Sequence, residues 1–212
     1  DAFEQSSSGQ SLVNMMDLDL LVGSGGVLSH APRRQQSARM LIDAFMPEGI
    51  TQLAVDSIFM MPQLGVLANI DKDELKEDAS QAALEVFDND CLIRLGTCIT
   101  PVGNAKPNSK MADIKLTFND GSVKELEVNE GSLEMIDHPY EEVKVSIVPA
   151  RGIDVGAGKG ETLDSVIYGG VVGLIFDGRN RPIALSKESD KRINSLLNWS
   201  QAVDEYPKGE LF

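Results

Sequence analysis

Histidine and cysteine are almost missing from this 212-residue chain, with two of each. Cys91 and Cys98 show neither C-x-x-C spacing nor a nearby histidine, which excludes a disulfide framework and a structural zinc site and leaves two buried thiols as the expectation. Each histidine sits within two residues of a proline, and Asp137-His138-Pro139 reads as a turn rather than a general base. The serine-rich start has no nucleophile-elbow pattern, and no acidic cluster singles itself out for a metal. No catalytic residue and no metal ligand is therefore expected. Basic residues are scarce as well: 19 against 33 acidic ones give a formal net charge of -14, which repels a nucleic-acid backbone or an anionic membrane. Apolar runs stop short of the roughly 20 residues that span a bilayer, and no basic stretch followed by a hydrophobic core opens the chain. A cytoplasmic protein with no nucleic-acid and no membrane partner is expected. The start at Asp1 and the Ser-rich lead-in to Gln10 suggest a piece of a longer polypeptide.

Glycine, by contrast, is concentrated where it matters. Asp17-Leu18-Asp19-Leu20-Leu21-Val22 runs into Gly23-Ser24-Gly25-Gly26, and an amphipathic pattern follows from Arg33 to Phe45 with Ala38, Leu41, Ile42 and Phe45 on one face. The stretch reads as strand, tight turn and helix. Such turns let a ligand approach the main chain, and the free amides at their end attract anions and nucleotides. Strand-to-helix turns also need glycine for steric reasons alone, and both readings stand at this point.

Further along, Met46-Pro47-Glu48-Gly49-Ile50 breaks the helix and Thr51 to Val55 reads as a short strand. Asp56 is placed to cap a second helix over Ser57 to Ala68, whose apolar composition predicts burial on most sides, with a kink or break at Pro62 and Gly65. The methionines here read as core filling, the alternative being a pliable binding surface. A third helix runs from the Asp71 cap to Phe87, with Leu75, Ala79, Ala82 and Val86 as its apolar stripe. Beyond Asp88-Asn89-Asp90 the texture turns strand-like, over Cys91 to Val102, Met111 to Phe118, Ser122 to Val128, Val143 to Val148, Val171 to Phe176 and Pro182 to Leu185. Asn119-Asp120-Gly121 signals a hairpin with positive φ at both central positions. A final helix capped by Ser186 or Ser189 carries Ile193, Leu196, Leu197 and Val203 inward, Trp199 anchors it, and the tail from Tyr206 is polar. The fold class is thus α+β: an α/β segment over 1–90, then a mainly antiparallel β domain with a terminal helix over 91–212.

Two other stretches invite a ligand. Arg151-Gly152-Ile153-Asp154-Val155-Gly156-Ala157-Gly158-Lys159-Gly160 fails the phosphate-loop pattern, because Gly160 follows Lys159 where a hydroxyl is required. It remains a candidate second anion or phosphate site through Asp154, Gly156, Gly158 and Lys159. An S-adenosylmethionine loop and a plain glycine-rich corner with Asp154 paired to Arg151 are its other readings. Asp177-Gly178-Arg179-Asn180-Arg181-Pro182 reads as a turn with solvated arginines, or else as a seat for an anion or carboxylate.

The block Leu20-Leu21-Val22-Gly23-Ser24-Gly25-Gly26-Val27-Leu28-Ser29-His30-Ala31-Pro32, with Met46-Pro47-Glu48-Gly49 and Asp56-Ser57-Ile58-Phe59-Met60-Met61-Pro62-Gln63-Leu64-Gly65-Val66-Leu67, resembles the glutamate mutase-associated MutL/GlmL family, which is unrelated to the mismatch-repair protein of similar name. Pro149 to Gly158 and Gly169 to Asp177 resemble that family's C-terminal part. The resemblance implies the second lobe of an ATPase of the actin, sugar kinase and heat-shock chaperone superfamily, with Gly23, Ser24, Gly25 and Gly26 contacting the adenosine of ATP, bound with Mg. It also implies a chaperone or reactivating factor whose partner is an adenosylcobalamin-dependent mutase subunit. The family's first lobe, with its phosphate motif and catalytic acid, is not among these residues, so ATPase activity is expected only when that lobe is present. Two other functions remain open: an interaction module with a vestigial nucleotide site, and an S-adenosylmethionine-binding enzyme.

Overall fold

The computed structural model describes residues 13–69 and 77–206, except for the side chains of residues 77–79. The Ser-rich lead-in, the Asp71 cap with Leu75 and Ala79, and the tail beyond Tyr206 lie outside the described residues. A 3-10 turn over Met15–Asp17 leads into β1 (Leu20–Gly23), α1 (Gly26–Ser29), α2 (Arg34–Phe45) and β2 (Gly49–Asp56). The strand–turn–helix reading of the first glycine stretch therefore holds, with β1 and β2 parallel and paired Leu20 to Gln52 through Gly23 to Val55. After β2 come α3 (Met61–Ala68), α4 (Glu77–Val86) and a π-helical turn over Phe87–Cys91. Then follow β3 (Leu92–Thr100), β4 (Val102–Gly103), β5 (Lys110–Phe118), β6 (Val123–Asn129), β7 (Leu133–Ile136), β8 (Glu142–Pro149), β9 (Ile153–Asp154), β10 (Leu163–Tyr168), β11 (Gly173–Asp177) and α5 (Ser189–Ala202).

One mixed sheet, in the order β1-β2-β3-β11-β7, crosses the boundary expected near residue 90. The change in sequence texture there marks the end of the helices, and the sheet itself continues from β2 into antiparallel β3. A four-stranded antiparallel sheet, β10-β8-β5-β6, lies beside it, and β4 pairs with β9. The mixed sheet separates two cores. Leu53, Val55, Leu95 and Ile175 face α2 and α5 through Ala38, Leu41, Ile42, Trp199 and Val203. Ile99, Leu174 and Phe176 face the antiparallel sheet through Ile114, Leu116, Val145 and Ile147. Successive residues of β11 thus enter opposite cores, which is why its sequence is apolar throughout and does not alternate. Each such fully buried side chain contributes on the order of 1.5–3 kcal/mol.

Several local expectations change. The Pro182 to Leu185 segment is irregular and not a strand. In the β5–β6 hairpin only Gly121 has positive φ, at 82°, while Phe118 N donates to Ser122 O and Gly121 N to Phe118 O, the signature of a bulged turn. The second helix begins at Met61, so Pro62 falls in its first turn and neither kinks nor breaks it. That helix is not buried: it has no buried residue, because it packs on α4 outside both cores. Among the described side chains of α4 the buried one is Ala83, with Ala82 and Val86 exposed. Both cysteines are buried thiols, as expected.

Candidate functional site

The glycines after β1 have separate reasons. A Cβ on Gly23 would lie 2.6 Å from Leu28 Cδ1 and 2.8 Å from Leu41 Cδ2, so any side chain here would have to push those methyl groups aside. Gly25, at φ 106° and ψ 159°, occupies a backbone region essentially reserved for glycine. Gly26 has neither reason: the nearest atom to its Cβ position is 4.0 Å away and its φ is ordinary. Among the described residues, the amides of Gly25, Gly26 and Val27 donate to no partner, while Leu28 N and Ser29 N close the turn on Gly25 O. The turn is held from behind by α2, where Ser37 Oγ donates to Leu28 O at 2.8 Å and Arg34 Nη1 to Ser29 O at 2.9 Å.

Asp56, at the end of β2, joins this turn to the next. Its carboxylate is fully buried and accepts from Met60 N at 3.1 Å, Met61 N at 2.9 Å and, at 3.4 Å, Ser24 Oγ. Asp56 is not the N-cap expected from the sequence, since α3 starts later and its N-cap is Met60; its carboxylate instead reaches across the intervening turn to the amides of Met60 and Met61. The link to Ser24, and the 2.8 Å bond from Ser29 Oγ to Asp56 O, carried no sequence signal, because both join residues about thirty positions apart. Glycine turn and carboxylate together sit past the carboxyl ends of two parallel strands, the edge at which α/β folds place their ligands. Val27, Ile58 and Phe59, close by in the chain, are all more than half exposed.

The second glycine stretch is built differently. Asp154 Oδ1 accepts from Gly156 N at 2.8 Å and Gly158 N at 3.1 Å, and Gly160 N and Glu161 N bond to Ile153 O and Gly158 O. Asp154 therefore takes the place an incoming anion would want, and its carboxylate turns to these amides, with no ion pair to Arg151 among the described residues. Lys159 is exposed. The loop borders the beginning of β2, since the Cβ positions of both Gly156 and Gly49 approach Met16 Sδ. The length of β2, roughly 23 Å at about 3.3 Å per residue, separates it from Gly23 to Gly26. The structure does not bring the two stretches together.

The arginines of the third stretch are not solvated. Arg179 is 2 % exposed and pairs with the fully buried Asp177 through Nε at 2.8 Å and Nη2 at 2.9 Å. Arg179 Nη1 forms an ion pair with Asp43 Oδ1 at 2.8 Å, and its guanidinium lies 5.0 Å from the Trp199 ring centre. Arg181 Nη2 reaches the same Asp177 at 2.9 Å, as well as Pro47 O and Thr100 Oγ1. The carboxylate these arginines hold is the protein's own. Burial alone raises the pKa of Asp177, but the Arg179 hydrogen bond and the two guanidinium charges outweigh it and hold the carboxyl below its ordinary value. Cys98 is pushed up to about 12 by burial and then by the charge of Asp177. Trp199 does anchor α5, donating from Nε1 to Gly131 O at 2.9 Å.

The described residues thus form a mixed α/β fold carrying an open glycine turn at the carboxyl edge of the parallel β1–β2 pair. Residues 4–84 match the family model described as MutL protein. No curated protein and no solved structure matches the chain. Among the described residues, no helix is long and apolar enough to cross a membrane.

Proposed function

We propose that this chain supplies the adenosine side of an ATP site and serves as an accessory protein, a chaperone or reactivating factor, for an adenosylcobalamin-dependent mutase. The observation that carries this reading is Gly26. It is a glycine that neither packing nor backbone demands, set beside three unpartnered amides at the ligand-bearing edge of parallel strands. The residues present fit a nucleoside better than a triphosphate: Gly23 to Val27 offer amides and apolar surface, and Arg34, the nearest arginine to be positioned by the turn, is spent on the carbonyls of Leu28 and Ser29. The phosphates with their Mg would then be held by a first lobe, and hydrolysis would await it. Nucleotide would act by favouring one arrangement of the lobes, which changes affinity for the mutase.

Thermal unfolding with ATP or ADP, with and without magnesium, tests the site. A nucleotide at a hundred times its dissociation constant adds about 2.7 kcal/mol. Gly26→Val should abolish that gain while leaving the unliganded melting temperature within a few degrees, since the position is open. Gly25→Val should abolish it too, but at a cost of about 1–3 kcal/mol in stability from forced backbone strain. Equal nucleotide stabilisation of wild type and Gly26→Val refutes the site. The interaction-module reading has its own support in the exposed apolar surface of α3. The S-adenosylmethionine reading has least, because Asp154 already engages the amides of its loop.

A further inference from the structure

The mixed sheet has β1 at one edge and β7 at the other. Four strand spacings, about 19 Å, therefore separate the strand that carries the glycine turn from a cleft of about 1010 Å³ between β7 and α5. Helix α5 has an unexpected polarity for one that only covers a sheet. Ile193 and Leu196 are 48 % and 39 % exposed, whereas Asn194, Ser195 and Asn198 line the cleft beside the buried Trp199. Among the described residues, the carboxamides of Asn194 and Asn198 have no partner, and neither has that of Asn108, which lines the same cleft from the loop before β5.

The other wall is β7 itself. Gly178 N donates to Ser132 O, so the main chain of Ser132 and of Glu134 turns toward β11, and that of Leu133 and Met135 turns to the free edge of the sheet. The amides and carbonyls of Leu133 and Met135 find no partner there among the described residues. Charge in the cleft is sparse. Glu130 is engaged by Asn108 N at 3.0 Å and Asn180 Nδ2 at 2.8 Å, and Lys191 by Glu188, while Glu134 is exposed and has no ion-pair partner among the described residues.

These walls suit a main chain. A carboxamide both donates and accepts, so it can bond the N–H and the C=O of one residue in an extended segment. Asn194 and Asn198 are one helical turn apart, a rise of about 6 Å, against about 6.7 Å between residues that face the same way along a strand. An extended chain presents its main-chain groups alternately to its two sides, which lets one segment serve both walls. A sugar would find no open aromatic face among the lining residues, since the Trp199 ring is buried against the guanidinium groups of Arg39 and Arg179, 5.6 and 5.0 Å from its centre. We propose that the cleft binds an extended segment of another protein, bonded through its main chain to Asn194 and Asn198 on one side and to the edge of β7 on the other, with a lysine or arginine set against Glu134. This site lies outside the nucleotide reading and does not depend on it.

The test titrates the full chain with the terminally blocked peptide Thr-Val-Thr-Lys-Thr-Val-Thr. It reads the emission of Trp199, the one tryptophan in the sequence, and the anisotropy of a fluorescein-labelled copy. Recognition of main chain tolerates many sequences, so this peptide should bind saturably. The double variant N194A/N198A, whose exposed positions leave circular dichroism and urea unfolding unchanged, should weaken binding at least tenfold, and so should N-methylation of alternate peptide amides. E134K should weaken the lysine peptide and bind its glutamate counterpart better than wild type does. Gly26→Val should bind the peptide as wild type does, so that failure of the nucleotide site and failure of the cleft are read separately. Absence of saturable binding overturns the proposal. Binding that survives both N194A/N198A and N-methylation overturns it as well, since that is general attraction of a basic peptide to an acidic protein. Binding of maltotriose that N194A/N198A abolishes, with none of the peptide, overturns it in favour of a carbohydrate.

Discussion

Replacing Asp177 by asparagine should destabilise the protein strongly. The carboxylate is fully buried and receives Arg179 N at 3.0 Å, Arg179 Nε, Arg179 Nη2 and Arg181 Nη2. Asparagine keeps the shape but removes the charge and turns an amide NH2 toward guanidinium groups that have little access to water. Breaking a buried ion pair on one side costs about 3–5 kcal/mol, because the remaining charge is left uncompensated. At about 2–4 °C per kcal/mol for a chain of this size, the melting temperature should fall by roughly 6–20 °C. The pH dependence supplies a second readout. A carboxyl whose folded pKa lies below its unfolded value contributes stability that is complete above the unfolded value, near pH 4, and that disappears as pH falls through the folded value. Wild type should therefore lose this stabilisation below about pH 4, while Asp177→Asn has none of it to lose, and urea midpoints of the two proteins should converge on acidification. A loss under about 1 kcal/mol at pH 7, the worth of an exposed pair, or midpoints that stay equally far apart into acid, would refute the reasoning.

Asp56→Ala should cost about 1–3 kcal/mol in urea unfolding, since it leaves the amides of Met60 and Met61 without their acceptor, and it should also loosen the glycine turn. Ser24→Ala, removing only the long 3.4 Å bond, should cost less than about 1 kcal/mol by the same measurement. Cys98, buried and titrating at about 12, should react with iodoacetamide at pH 8 roughly three orders of magnitude more slowly in the native protein than after unfolding, as followed by mass spectrometry; fast native labelling would place it near solvent.

Periodicity made some of this readable. The face of α2 could be seen in the spacing of Ala38, Leu41 and Ile42, and strands β5 and β8 in their apolar alternation, because both patterns arise from burial on one side. β7 was not readable: four residues between a Gly-Ser turn and Asp137-His138-Pro139 are too few to show a period. β10 hid for another reason, since Asp164 and Ser165 interrupt its apolar residues. The arginines at 179 and 181 looked like surface residues because their partners, Asp177 aside, come from Asp43, Pro47, Thr100 and Trp199, far away in the chain. Apolar composition around α3 suggested burial; composition records only that water is disfavoured, and a partner's surface satisfies that as well as the protein's own core does. In the candidate site, Gly23 to Gly26 were visible from the sequence, whereas the carboxylate that joins Ser24 to the following turn became visible only once β1 and β2 were laid side by side.

Ser57 closes a neck in the chain, its amide and hydroxyl both donating to Cys91 O at 2.9 and 2.8 Å, and this bears on how the protein can change. Everything between these residues leaves and re-enters the sheet at one point, with Asp56 and Leu92 already in register beneath it. Doubling the length of such a loop costs only about 0.6 kcal/mol of closure entropy, so the segment between them can grow, shrink or be exchanged without disturbing the strands. The limit lies at Met60 and Met61: a graft that replaces both alters the turn whose two amides Asp56 accepts, while one that begins after Met61 keeps it intact. The sheet is in this sense a socket, and the helices it carries are a replaceable fitting.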